Sequence, residues 1–241
     1  MMRKHPYQLL LERKRKWSPV KPTIGVLKDE AKDTIRRALA ARHLELPVGS
    51  FIKEGLEKDV PNNARKLLED NVKDEERHDL ALGYYADALG TDEKTEKEGK
   101  LLRDAWIEHP DHTIVKALVA ERAIFFVLLP FFRFNGDAAL RTISADISRD
   151  EQIHVGSNSL VCRELGLSPS NSLDKLRKAT INWIVKPLGI NTTDKYLDKK
   201  FWLDASDRLM YEGKAPEFSE TQRARMPAFF EHANTNLPKY A

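Results

Sequence analysis

The chain has 241 residues, 41% hydrophobic and 32% charged, enough apolar material for one domain with a substantial core. Lys and Arg number 40 against 37 Asp and Glu, an ordinary balance of +3, and the single cysteine, Cys162, excludes a disulfide framework. The longest apolar stretch, Ala117 to Phe132, is interrupted by Glu121, Arg122 and Pro130, which argues against a membrane span; the charged N-terminus does not read as a signal peptide, so a cytoplasmic location is expected.

Residues 1–27 form a basic arm, with Arg3, Lys4, Arg13, Lys14, Arg15, Lys16 and Lys21 against the single acid Glu12, and with Trp17, Pro19 and Pro22. A solvated, partly extended segment is expected there, able to dock an acidic partner rather than nucleic acid. The second region, 28–166, reads as four long helices and a connecting one. A helix over 28–58 carries Ala38, Glu45, Ile52 and Leu56 on one stripe, with Pro47 and Gly49 predicting a kink or interruption beside Glu45. Asp59-Val60-Pro61-Asn62-Asn63 breaks it. The helix over 63–89 presents Leu68, Glu75, His78, Leu82 and Tyr85, and one over 93–108 follows. His109-Pro110-Asp111-His112 reads as a loop, its histidines poor ligand candidates, with Asp111 capping a helix over 112–134 that presents Ala117, Glu121, Ile124 and Leu128 and bends at Pro130. After Asn135-Gly136-Asp137, a helix over 137–165 aligns Leu140, Ile147, Glu151 and His154. The third region, 167–241, is an additional helical layer and tail, with helices expected over 173–184, 195–211 and 227–233. Asn191-Thr192-Thr193 matches a glycosylation sequon, without other signs of secretion. No segment has strand periodicity, so the fold class is all-α.

The chemistry lies in a block that occurs twice, Lys73-Asp74-Glu75-Glu76-Arg77-His78 and Arg149-Asp150-Glu151-Gln152-Ile153-His154. Each contains D-E-x-x-H, which on a helix aims one carboxylate and one imidazole at the same point. Each block has a glutamate 30 positions before its own, Glu45 before Glu75 and Glu121 before Glu151. Each pair straddles its breaker nearly evenly, so at roughly 1.5 Å per residue the four acids lie about 22 Å from the turns, near one plane. Glu54 and Glu57 compete with Glu45 but fall close to Pro61, out of that plane. Four carboxylates and two imidazoles on apolar stripes would be buried, and buried acids without partners neutralise or find a cation. Two metal ions satisfy them, and carboxylate oxygen with imidazole nitrogen suits iron or manganese.

Glu45, Glu75, His78, Glu121, Glu151 and His154 resemble the ligand order of the ferritin-like di-metal carboxylate proteins, which include ribonucleotide reductase small subunits, bacterial multicomponent monooxygenases and acyl-carrier-protein desaturases. The resemblance covers roughly residues 30 to 165 and implies a ferritin-like four-helix bundle with additional C-terminal helices. It implies these six residues as metal ligands, two iron ions or a manganese/iron pair, and O2 as co-substrate. By symmetry Asp150 pairs with His78 and Asp74 with His154 outside the ligands, while Leu82, Ile124, Phe125 and Leu128 wall a cavity or simply pack the core. The implied function is a di-iron oxidoreductase that hydroxylates, desaturates or otherwise removes hydrogen from a small or carrier-bound organic substrate, served by an electron-donor protein, with a homodimer compatible. The alternative is a reductase small subunit making an oxidant for a partner subunit. Glu121-Arg122-Ala123-Ile124-Phe125-Phe126 and Ile147 to His154 look like that family. Leu82 stands where members with a stored tyrosyl radical usually have Tyr, which argues against a radical at that position; Tyr84 is rotated away from the His78 face and Tyr85 lies one turn further on, so the oxidant of this alternative is either a radical or a high-valent metal centre. A further alternative is a non-catalytic iron-binding protein.

Overall fold

Two antiparallel helical hairpins form the centre of the computed structural model, which describes residues 4–58 and 60–214. Asp59 of the first breaker and the expected helix over 227–233 lie outside the described residues. Ten α-helices and no strand occur among the described residues. The two returning helices are the long ones, α4 (Arg65–Leu89) and α8 (Ala138–Glu164). In α4 the buried positions recur every three or four residues as Leu67, Asn71, Asp74, Glu75, His78, Leu82 and Tyr85; in α8 they run Leu140, Ile143, Ile147, Asp150, Glu151, His154, Asn158 and Val161. Each inner stripe is apolar at its ends and polar in its middle. The bundle therefore has a hydrophobic core above and below a polar layer.

Both outgoing helices break at that layer. The expected helix over 28–58 is two, α2 (Asp29–Ala40) and α3 (Glu45–Glu57), joined by a 3-10 turn over Ala41–Leu44. Pro47 lies in the first turn of α3, where its missing N–H removes no helical bond, so it begins a helix instead of bending one. Gly49 lets α3 approach α4: a Cβ there would lie 3.3 Å from Cβ of Glu75. The other outgoing helix comprises α6 (Thr113–Ala120), a π turn over Glu121–Phe125 and α7 (Phe126–Asn135), which contains Pro130. The π turn closes when the N–H of Phe126 reaches the carbonyl of Glu121. Such one-turn bulges are frequent at functional sites.

The remaining helices pack around the hairpins, and all but α1 brace these breaks. The short α1 (Pro6–Leu11) lies against α4 and α8, and α5 (Glu93–Glu108), the crossover between hairpins, packs on α2 and the 3-10 turn. The outer layer of α9 (Asn171–Ile184) and α10 (Lys199–Glu212) covers the π turn and neighbouring helices. Ser206 Oγ donates to the carbonyl of Ala123 at 2.7 Å, serving the irregular backbone of the π turn. Trp106 and Trp202 are wholly buried in this layer; removing about 150–250 Å² of each from water contributes roughly 4–6 kcal/mol apiece. Asp92, Asp137, Ser170 and Asp198 cap α5, α8, α9 and α10. Asp111 does not cap α6: His112 Nδ1 accepts the N–H of Ile114, and Asp111 instead accepts the N–H of Ser170 at 2.8 Å, tying the loop to α9. No helix among the described residues is long and apolar enough to cross a membrane.

Candidate metal centre

Glu45, Glu75, His78, Glu121, Glu151 and His154 converge in the polar layer, each 0% exposed. Glu75, His78, Glu151 and His154 each bring one ligand atom within 4.8 Å of the others. His78 Nδ1 faces Glu151 Oε1 at 3.2 Å, Glu75 Oε2 at 3.6 Å and Glu45 Oε2 at 3.7 Å. His154 Nδ1 faces Glu75 Oε1 at 2.9 Å, Glu151 Oε2 at 3.8 Å and Glu121 Oε1 at 3.9 Å. Glu75 and Glu151 thus turn one oxygen toward each imidazole, and Glu45 and Glu121 stand at opposite ends. The glutamates that compete with Glu45 in the sequence, Glu54 and Glu57, are exposed, and Glu54 pairs with Lys58.

These are electrostatic approaches without hydrogen-bond geometry. Seven carboxylate oxygens, both from Glu45, Glu75 and Glu151 and one from Glu121, have no hydrogen-bond partner, nor do the two Nδ1 atoms. Leaving one buried polar atom unpaired costs about 1–3 kcal/mol, so nine aimed at one point is an arrangement that two cations relieve. The charges match: four carboxylates beside neutral imidazoles balance two divalent ions. The donor set therefore fits a di-metal group of the hard or intermediate kind.

Without a cation, protons take its place. Burial pushes the Glu45, Glu121 and Glu151 carboxyls up. Glu75 moves down because both imidazoles outweigh burial. Burial alone would lower the histidines, but the surrounding carboxylates prevail, raising His78 well above the ordinary range and His154 to about 10. Metal entering this site must displace those protons.

Behind each imidazole stands an aspartate from the opposite hairpin. His78 Nε2 lies 3.2 Å from Asp150 Oδ2, and His154 Nε2 lies 3.0 Å from Asp74 Oδ2. These contacts leave each Nδ1 directed at the glutamates and fix the ring planes. The sequence did not reveal what lies outside the aspartates. Arg77 donates to both Asp74 and Asp150. Lys14 of the arm places Nζ 2.5 Å from Asp74 and 2.8 Å from Asn71 Oδ1. Trp17 donates Nε1–H to Asp150 at 2.7 Å and stacks near His78, ring centroids 6.1 Å apart. The expectation of a solvated arm therefore fails at these residues and at Tyr7, which is buried and donates to Glu164 at 2.9 Å. Their only sequence signal was an aromatic and a basic residue in an otherwise polar stretch.

Leu82, Ile124, Phe125 and Leu128 are at most 2% exposed and belong to the hydrophobic core. A cleft of about 400 Å³ opens elsewhere, bordered by Arg42, His43, Leu46, Pro47, Asp79 and Tyr84, where the 3-10 turn meets the start of α3. His109 and His112 remain in the α5–α6 connection, away from the cluster.

No family model and no curated protein sequence matches the chain. A solved structure does: a candidate class I ribonucleotide reductase from Bacillus halodurans, at 1.90 Å resolution, is 14% identical with a TM-score of 0.60. The match covers 86% of this chain and 89% of that one. The likeness establishes the all-α, ferritin-like helical fold.

Proposed function

We propose that the chain is a di-metal oxidoreductase in which Glu45, Glu75, His78, Glu121, Glu151 and His154 hold two metal ions, iron or a manganese/iron pair, that activate O2 to oxidise an organic substrate. The observation that carries this reading is the nine unpaired, buried ligand atoms meeting between two imidazoles. When bound, such a metal pair supplies electrons to oxygen and a strong oxidant for C–H bonds. The protein's own share is positional. Glu75 and Glu151 span the centre, Asp74 and Asp150 fix the imidazoles, and the apolar packing of Ile124, Phe125 and Leu128 keeps water away. The cleft beside Pro47 is where a substrate would meet the Glu45 end.

A second reading is favoured by a specific observation. Trp17, Asp150 and His78 form a continuous hydrogen-bonded series from the arm to the centre, a path along which an electron and a coupled proton could pass to or from another protein. Together with the likeness to the candidate ribonucleotide reductase, it supports a small subunit that prepares an oxidant for a partner. Tyr85, buried beside Asp137, is then the tyrosine to watch.

The test begins with elemental analysis and oxygen uptake after anaerobic addition of ferrous iron. Two equivalents bound and oxygen consumed are expected; a protein that binds no iron and consumes no oxygen would overturn the metal reading. Paramagnetic resonance then separates the two functions: a persistent tyrosyl signal abolished by Tyr85→Phe, or activity appearing only with a large partner subunit, would replace the substrate-oxidising reading with the second.

A further inference from the structure

The two halves of the centre look alike in sequence but differ in what loads their ligands. Glu45 has both oxygens free, whereas Glu121 has already committed Oε2 to the side-chain amide of Asn158 at 2.8 Å. The aspartates differ in the same sense. Asp150 receives the neutral indole N–H of Trp17 and one cation, Arg77 at 3.0 Å. Asp74 is gripped by two cations, Arg77 and Lys14, the second largely enclosed, its side chain 13% exposed. A carboxylate whose charge is compensated accepts less strongly from an imidazole N–H, and the imidazole is left a poorer donor. The nearby ammonium also opposes a further cation at that end.

We propose that the two metal positions are unequal, that the Glu45/His78 position fills first, and that Lys14 of the N-terminal arm, together with Asn158, weakens the Glu121/His154 position. The inference rests on the metal-centre reading and adds an order of loading and a residue that controls it. Lys14 is a positioning residue, acting through Asp74 and His154. The arm is thereby a built-in device that differentiates two otherwise symmetric sites, as ordered assembly of a mixed manganese/iron pair requires.

Anaerobic titration of the full chain with Co(II), followed by calorimetry and visible absorption, tests this without any turnover. Two steps separated by about 10-fold or more are expected, the range that outer hydrogen bonds command. Because mutual repulsion of two ions also separates the steps, the assignment comes from variants. Glu121→Ala should keep the tight step and Glu45→Ala should lose it. Lys14→Met should tighten the second step by about 10-fold, and Lys14→Arg should restore the separation. Should Lys14→Met fail to fold, Asn158→Ala, which frees the second oxygen of Glu121, should narrow the gap in the same direction. A tight step lost in Glu121→Ala and kept in Glu45→Ala, or a step ratio indifferent to both Lys14→Met and Asn158→Ala, would overturn the inference while leaving the metal centre intact. Failure of the wild-type chain to bind Co(II) at all would overturn the centre itself.

Discussion

Replacing Glu45 with Met should make the metal-free protein more stable while removing its response to metal. Glu45 is 0% exposed and neither carboxylate oxygen has a hydrogen-bond partner. At about 1–3 kcal/mol each, two unpaired buried atoms cost about 2–6 kcal/mol. Met has similar length and no polar atom to satisfy. A carboxyl that keeps its proton offers no charge to the N-terminus of α3, so Met forfeits no helix-dipole stabilisation there. A gain at the lower end of that range, about 2 kcal/mol, should raise the melting temperature by roughly 4–8 °C in a chain of this size. The gain has a pH signature. Burial holds the Glu45 carboxyl above its ordinary 4.5, so above that pH the unfolded chain releases a proton that the folded chain retains. Wild-type stability is eroded as pH rises from 4.5 toward the raised value, and the gap between variant and wild type should widen over that interval. Metal reverses the order: at 100 times Kd each occupied site adds about 2.7 kcal/mol to the wild type, of which the variant loses at least one site's share. Thermal melts followed by circular dichroism, in chelator and in excess Mn(II), read both effects. A variant that melts at or below the wild type in chelator would refute the claim that the empty centre is held together against its own electrostatics.

Three further outcomes follow from the same geometry. Asp150→Ala removes the acceptor shared by His78, Trp17 and Arg77 and should weaken metal binding about 10 to 100-fold; unchanged affinity by calorimetry would show that the aspartate does not act through the imidazole. Gly49→Leu places a side chain where even a Cβ meets Glu75 at 3.3 Å, and should lower metal stoichiometry while leaving helical ellipticity near wild type. An unaltered two equivalents would contradict the need for close approach of α3 and α4. Burial pushes the Cys162 thiol up to about 12, so at pH 8 the native protein should resist iodoacetamide and become fully labelled only in denaturant; labelling of native protein at the denatured rate would contradict that burial.

The sequence alone determined the helical class, the two hairpins and the convergence of six polar side chains, because all three rest on local periodicity. An i, i+3 pair shares a helix face wherever the helix lies, and equal distances from two breakers level two helices without knowledge of their packing. The paired D-E-x-x-H blocks, with Glu45 and Glu121 each 30 residues before their partner, carry that information directly. The tertiary structure decided the rest. Pro47 could be read as a kink, but only packing turned it into the start of a separate helix after the 3-10 turn at Ala41–Leu44. Glu121 looks like any residue of a regular helix, and its π turn exists beside a layer in which Ser206 serves the carbonyl of Ala123. The arm was the least legible part. Trp17 meets Asp150 across 133 positions and Lys14 meets Asn71 across 57; no periodic pattern encodes such contacts, because they form only once the bundle offers two buried aspartates whose remaining lone pairs need donors.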